Sequence, residues 1–479
     1  MALDTIPKQE GGKLKAVASG TLPSGQPVVV NADGTVSVVA GSDSSSGSPV
    51  VFNSAITTML PSSSVYDSSN NKIVIAYKDY GNSQYGAAIV GTISGSAITF
   101  GSGTVFESAS IEHQTITFDD NSNKVVIAYR DGGAGKAIVG TVSGTSISFG
   151  SSTTFESSGI EGVGITFDTT NNKVVISYSD INNTLNGTAV VGTVSGTSIS
   201  FGTPAVFENA QTDYTSAAFD SSNNKVVISY SDKANSNYGT VVVATVSGTS
   251  ISFGSPIVYT SEYTVYNAVV FDSSVNKVVI SYRAATDGNI GKSLVGTVSG
   301  TSISFGPIVT FASGGAGMLS ATYDTSLNKV IIAYRDGGNS NYGTIALGSV
   351  SGTSISFASG GVFESAATDD ITIAYDANAN KSAVFYYDEG NSYYGTASVF
   401  TAGSTNLTSE NFIGFANSGY ADGQSAAINS TCMVDSNQTS LTAGQTYYVQ
   451  TSGALGTTPA DPSVVAGTAI SSNSIIVKG

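Results

Sequence analysis

The stretch FDSSNNKVVISYSDKANSNYGTVVVATVSGTSISFG, residues 219–254, decides the fold. Its lysine is one of seven at matching places, Lys72, Lys124, Lys173, Lys225, Lys277, Lys329 and Lys381, separated by 52, 49, 52, 52, 52 and 52 residues. An aspartate five positions earlier keeps step, at Asp67, Asp119, Asp168, Asp220, Asp272, Asp324 and Asp376. The phrase SGTSISFG returns letter for letter at 143–150, 195–202, 247–254 and 299–306. A fixed period of roughly 50 residues, with several short strands per unit, marks a propeller-type array.

Each unit parses into four strands. Strand A is short and ends at the aromatic-Asp pair, as in Phe219-Asp220. Strand B starts at the lysine, with Val226, Ile228 and Tyr230 on one face and Val227, Ser229 and Ser231 on the other. Strand C runs over 240–246, and strand D begins at Ser250. A strand apolar on one face and small on the other suits a sheet packed between neighbours. The expected fold is all-β, a seven-bladed β-propeller of four-stranded blades with small β modules at both termini. A parallel β-helix is the competing repeat fold, but its shorter sub-periods are missing.

The repeats occupy 46–412, leaving an N-terminal β segment, 1–45, and a C-terminal β module, 413–479. The last unit lacks SGTSISFG, while GSPVVF at 47–52 matches GSPIVY at 254–259. Either the N-terminal stretch or 402–415 could therefore supply the last outer strand and remove an exposed edge. Both flanks carry a hairpin pattern, with turns at Asp33-Gly34 and Ser452-Gly453, and suit an anchor.

Charged residues are 11% of the chain, the net charge is −16 and the pI is near 4.3. Phosphate backbones would be repelled, which argues against nucleic acid and against an anionic membrane surface as partner. One cysteine, Cys432, excludes an intramolecular disulfide. The N-terminus has no apolar signal core and no run approaches a membrane span, so synthesis and assembly in a cytoplasm are expected.

In a four-stranded blade the A–B and C–D turns share one rim, and the B–C and D–A loops share the other. The first set is monotonous: DSSNNK at 67–72 and 220–225, DTTNNK at 168–173, and SGTS again and again. The second set is diverse and forms the candidate ligand face. Its B–C loops carry Tyr80 and Tyr85, Asn182, Asn237 and Tyr238, Asn341 and Tyr342, and Tyr393 and Tyr394. Its D–A loops carry Asp213 and Tyr214, and Tyr263 and Tyr266. Tyrosine offers a flat apolar plate with a hydroxyl, and Asn or Asp offers directional hydrogen bonds. Structurally, the same residues serve as turn formers and shields of sheet ends.

No catalytic residue, metal or cofactor is expected. The lone His113 reads as a solvated loop residue, and Cys432, beside Met433, as a buried small hydrophobe. Glycosidases need only two carboxylates, so Asp369, Asp370, Asp388 and Glu389 stay as an enzymatic alternative. The DSSNN turns place oxygens at alternate positions but lack a terminal bidentate Glu, and an Asp capping its own turn explains them better than calcium. A sialidase-type propeller would show Trp-containing boxes, and this chain has no Trp.

NFIGFANSGYADGQSAAI at 411–428 and SLTAGQTYYVQTSGALGTTPADPSVVAGTAISSNSIIVKG at 440–479 resemble modules that end structural proteins of tailed bacteriophages, especially marine ones. ASGTLPSGQPVVVNADGTVSVV at 18–39 is similar in character. The resemblance implies a virion component: a fibre, spike or head decoration. Expected is a non-enzymatic virion surface protein whose propeller face binds a host-surface glycan or protein. It would contact other virion proteins through its terminal modules and form a homo-oligomer, without nucleic acid or membrane insertion. The alternative within the same family is a head-decorating or structural subunit without a receptor role.

Overall fold

The computed structural model describes residues 8–10, 13–460 and 462–478, and the fold is all-β, without an α-helix among those residues. Strands Lys225–Asp232, Tyr238–Ser247 and Ser250–Phe253 lie antiparallel beside the second half of Ala205–Asp220. Asp220 closes the first turn. Its carboxylate accepts the N–H groups of Ser222 and Asn223 at 2.9 and 3.0 Å and the Ser222 hydroxyl at 2.6 Å. Asn224 then takes φ 54°, a left-handed conformation that Asn tolerates better than most side chains. The matching Asn71, Asn123, Asn172, Asn276, Asn328 and Asn380 lie between φ 52° and 54°.

Alternation along the second strand buries both faces. Val226, Ile228 and Tyr230 pack in one cluster with Phe207 and Val242, whereas Val227 packs in another with Tyr259 and Val278. Burying a side chain such as Ile228 stabilises by about 1.5–3 kcal/mol. The small face is equally dry. Ser229 and Ser231 are fully buried, their hydroxyls donating to the Tyr259 oxygen and to the Thr264 carbonyl. An aromatic pair repeats from sheet to sheet, from Phe52–Tyr77 to Phe363–Tyr386, with ring centroids 5.2–5.6 Å apart. The outer ring of each pair needs glycine opposite: a Cβ on Gly135 would stand 2.5 Å from Phe155.

Long strands link successive sheets. Ile257–Asp272 first edges one sheet, Val258 opposite Thr240, then opens the next, Asp272 opposite Lys277. Thr104–Asp119, Ala205–Asp220 and Ser354–Asp376 do the same. The ring closes with the N-terminal donor. Val50–Thr58 pairs with Tyr394–Thr401, Val51 opposite Thr396, and its end passes on to the first sheet through Thr58 opposite Lys78. This compact unit spans 45–401, against 46–412 in the sequence reading.

The two flanks, read from the sequence as small β modules at both termini, together form the other compact unit, 1–44 with 402–479. Lys13–Val17 and Pro27–Val30 from one flank share a sheet with Ser425–Asn429 and Phe412–Ala416 from the other. Val29 and Val39 join Leu407, Phe415 and Val449 in one core. Gly34 and Gly453 turn their hairpins at φ 83° and 82°. Cys432 departs from expectation: it is exposed, because its own left-handed conformation (φ 70°) places it in a surface turn. Among the described residues no helix is long and apolar enough to cross a membrane.

Candidate ligand-binding face

Antiparallel register gathers the B–C and D–A connections at one end of the sheets. Tyr238 stands opposite Asp232 across its own loop and opposite Tyr263 on the incoming strand, and Thr212 stands opposite Asp232. The turns Asp220 to Lys225 and Ser247 to Ser250 lie at the other end.

Five B–C loops share a backbone, at 79–85, 180–186, 232–238, 336–342 and 388–394. Each runs through two successive left-handed residues: Ser83–Gln84, Thr184–Leu185, Ser236–Asn237, Ser340–Asn341 and Ser392–Tyr393, with φ from 54° to 65°. Asp180 and Asp232 hold their loops by accepting N–H groups two and three residues on. The diversity read from the sequence is therefore one of side chains on a common backbone. Tyr80 and Tyr393 stand out from it, each 43% exposed. Lys78 holds its ammonium 5.2 Å from the Tyr80 ring centre, and Tyr393 lies 4.9 Å from Tyr387. Asn182 is exposed, while Tyr85, Asn237, Tyr238, Tyr263, Tyr342 and Tyr394 are half-buried at the loop bases.

At six D–A connections the ladder slips and one residue turns left-handed: His113, Gly162, Tyr214, Tyr266, Met318 and Asp370, with φ between 35° and 54°. A bulge re-aims the side chain it carries. Several of these bulges meet in a pocket of ≈ 140 Å³ lined by His113, Gly162, Asp213, Tyr214 and Tyr266 together with Leu60, Pro61, Val163 and Asn267. The Tyr214 and Tyr266 rings meet edge-on at 5.4 Å. His113 is thus half-buried in this wall and not solvated, because the bulge turns it there. Burial pushes its pKa below the ordinary value, against the opposing pull of Glu112, and favours neutral imidazole. Burial, with the charge of Asp213, pushes the Tyr214 phenol up to about 12.

A second pocket, of ≈ 280 Å³, opens between neighbouring repeats on the same face. Tyr266, Arg283, Asn289, Arg335, Asn341 and Asp369 line it, and the glycines at 314, 315, 317 and 337 keep it open. Arg335 pairs with Asp369 at 2.8 Å and with Glu389 at 3.5 Å. Asp370 faces away from that pair: its carboxylate accepts the Met59 N–H at 3.4 Å, and burial, with the charge of Asp369, pushes it up to about 7. Asp388 is raised as well, by burial first and then by Glu364. Among the described residues no group of three or more His, Cys, Asp or Glu is placed to hold a metal.

Of the ligand-face candidates read from the sequence, the structure brings Asp213, Tyr214 and Tyr266 into one pocket and Tyr266 and Asn341 into the other, and the rest of that set line neither; of the four carboxylates kept for an enzyme, Asp369 lines the second pocket. Sequence reasoning missed Arg283, Arg335 and Asn289 as lining residues. The signal lay in the spacing of Arg130, Arg283 and Arg335, which share one place in the repeat.

No family model matches the chain, and no curated protein matches it. Solved structures do. The BP39L lectin from Burkholderia pseudomallei is similar over 74% of this chain and 99% of its own, with 11% identity and a TM-score of 0.51. A protein of unknown function from Dyadobacter fermentans aligns over 75% of this chain and 99% of its own, at 10% identity and a TM-score of 0.47. The Dos1 propeller aligns over 76% and 95%, at 12% identity and a TM-score of 0.45. The structural neighbours of this all-β fold are propellers and lectins.

Proposed function

We propose that residues 45–401 form a seven-bladed β-propeller acting as a non-enzymatic, lectin-like module, and that its B–C and D–A face takes a host-surface glycan. The observation that carries this is the asymmetry of the two rims. On one, buried aspartates such as Asp220 are saturated by their own turns. On the other, exposed Tyr80 and Tyr393 and two pockets stand on a repeated backbone. Tyrosine plates and convergent polar groups suit sugars, which present apolar C–H faces and hydroxyl edges. The blade count rests on one four-stranded sheet for each of the seven lysines.

The terminal unit, read through its likeness to phage structural proteins, is the attachment to a virion. Many copies on one particle convert weak single contacts into avidity. A glycan array probed with the full chain tests the reading. Binding that weakens about 10-fold in Tyr393→Ala, with an unchanged melting temperature, is the expected result. An array with no bound glycan, together with normal adsorption of particles lacking the protein, refutes it.

A further inference from the structure

Three arginines occupy the same place in the repeat, at the end of the second strand: Arg130, Arg283 and Arg335. Two are matched with carboxylates. Arg130 stands opposite Glu112 and pairs with it at 3.2 Å. Arg335 stands opposite Gly317, which has no side chain, and takes Asp369 from the next repeat at 2.8 Å. Arg283 stands opposite Val265 and, among the described residues, has no carboxylate partner. Its guanidinium lies 4.7 Å from the ring centre of Tyr266, and its Nε is buried without a hydrogen-bond partner.

A buried, unpaired donor on a charged group is costly, and proteins seldom leave one unanswered. Here the guanidinium lines the larger pocket. The contact with the Tyr266 ring holds the guanidinium in the pocket wall, where its N–H fork can meet a planar anion. Asp369, on the same wall, is held by Arg335 and so is compensated within the protein. Asn289 and Asn341 add side-chain amides, held at φ 61° and 63°. The glycines leave room for a ring-sized group beside the charge.

We propose that this pocket is a subsite for an acidic sugar, whose carboxylate pairs with Arg283 while Asn289 and Asn341 meet its hydroxyls. The inference rests on the glycan-binding reading of this face and names the saccharide class that it takes. The local cation also explains how a chain of net charge −16 accepts an anionic ligand: a desolvated Arg–carboxylate pair acts at contact range, where the distant charges are screened.

The test is titration of the full chain with a uronic-acid oligosaccharide and with the same oligosaccharide after carboxyl reduction. Wild type binds the uronate at least 10-fold more tightly than the neutral form, and R283Q loses that preference. R283K keeps the charge without the planar fork and retains part of it. N341D and N289D place a like charge in the pocket, at positions where Asp tolerates the left-handed backbone; each weakens uronate binding more than it weakens binding of the neutral form. R130Q, in the repeat whose arginine is already paired, leaves binding unchanged. Equal binding of both oligosaccharides, or a uronate preference that survives R283Q and N341D, overturns the acidic-sugar subsite while leaving glycan binding intact. Failure to bind either oligosaccharide or any arrayed glycan overturns both readings.

Discussion

Tyr230 donates its hydroxyl to a carboxylate oxygen of Glu208 across 2.9 Å, tying the second strand of one sheet to the outer strand of the sheet before it. Tyr129–Glu107, Tyr282–Glu262 and Tyr386–Glu364 repeat the bond at 3.0, 3.0 and 2.9 Å. Burial, then the charge of Glu208, pushes the Tyr230 phenol far above its ordinary value, so it stays a donor. Burial also raises the Glu208 carboxyl, against the opposing effect of this bond. Tyr230→Phe is expected to cost about 1–2 kcal/mol, because the carboxylate loses its donor while the ring packing on Phe207 remains. Urea unfolding measures it; an unchanged midpoint would count against the bond as a staple between sheets.

Asp370 imposes a pH dependence. In the folded chain it keeps its proton up to about pH 7, whereas the unfolded chain releases it at about pH 4. The native state therefore binds the extra proton between those values. The stability it contributes is fully present below pH 4 and is lost as pH rises through about 7. Asp370→Asn stays neutral and tolerates φ 49°. It is expected to match wild type at pH 4 and to exceed it by about 1–3 kcal/mol at pH 8. Parallel stability profiles for the two proteins from pH 4 to 8 would exclude this role.

Gly135→Ala should destabilise by about 1–3 kcal/mol, because its Cβ would press on Phe155 in a packed sheet interface. Pairing the change with Phe155→Leu should recover part of the loss. A double mutant no better than the sum of the two single changes would refute the steric account.

Asp220 has both oxygens engaged, the second by the Asn223 side-chain amide at 2.9 Å. Asp220→Ala is expected to cost about 1–3 kcal/mol through the unsatisfied turn N–H groups. Adding calcium or a chelator should leave the melting temperature of wild type unchanged, since the turn carboxylate already has its donors. A calcium-dependent rise abolished in Asp220→Ala would instead make this turn a metal site.

The turns were legible because their chemistry is local. An Asp that accepts the next N–H groups, an Asn that tolerates positive φ and a Gly in SGTS all act within a few residues of themselves, so the letters recur wherever the geometry does. The D–A bulge was not legible in that way. His113, Gly162, Tyr214, Tyr266, Met318 and Asp370 share a backbone state but no chemistry, because the ladder slip is imposed by strands on either side. Cys432 was misplaced for a related reason: burial of a small thiol depends on which turn it occupies, not on its apolar neighbour Met433.

The linear order of residues determined the period, the strands within each unit and the rim on which each connection falls, since hydrophobic alternation and turn formation are encoded by near neighbours. The tertiary structure alone decided that residues 50–58 close the ring, that both flanks interleave in one unit, and that Arg283 differs from Arg130 and Arg335. Those outcomes hang on which distant segment lies opposite: Val265 and not an acid across from Arg283, Val51 beside Thr396. Register between remote strands is fixed by cooperative packing of whole sheets, and no short stretch of sequence carries it.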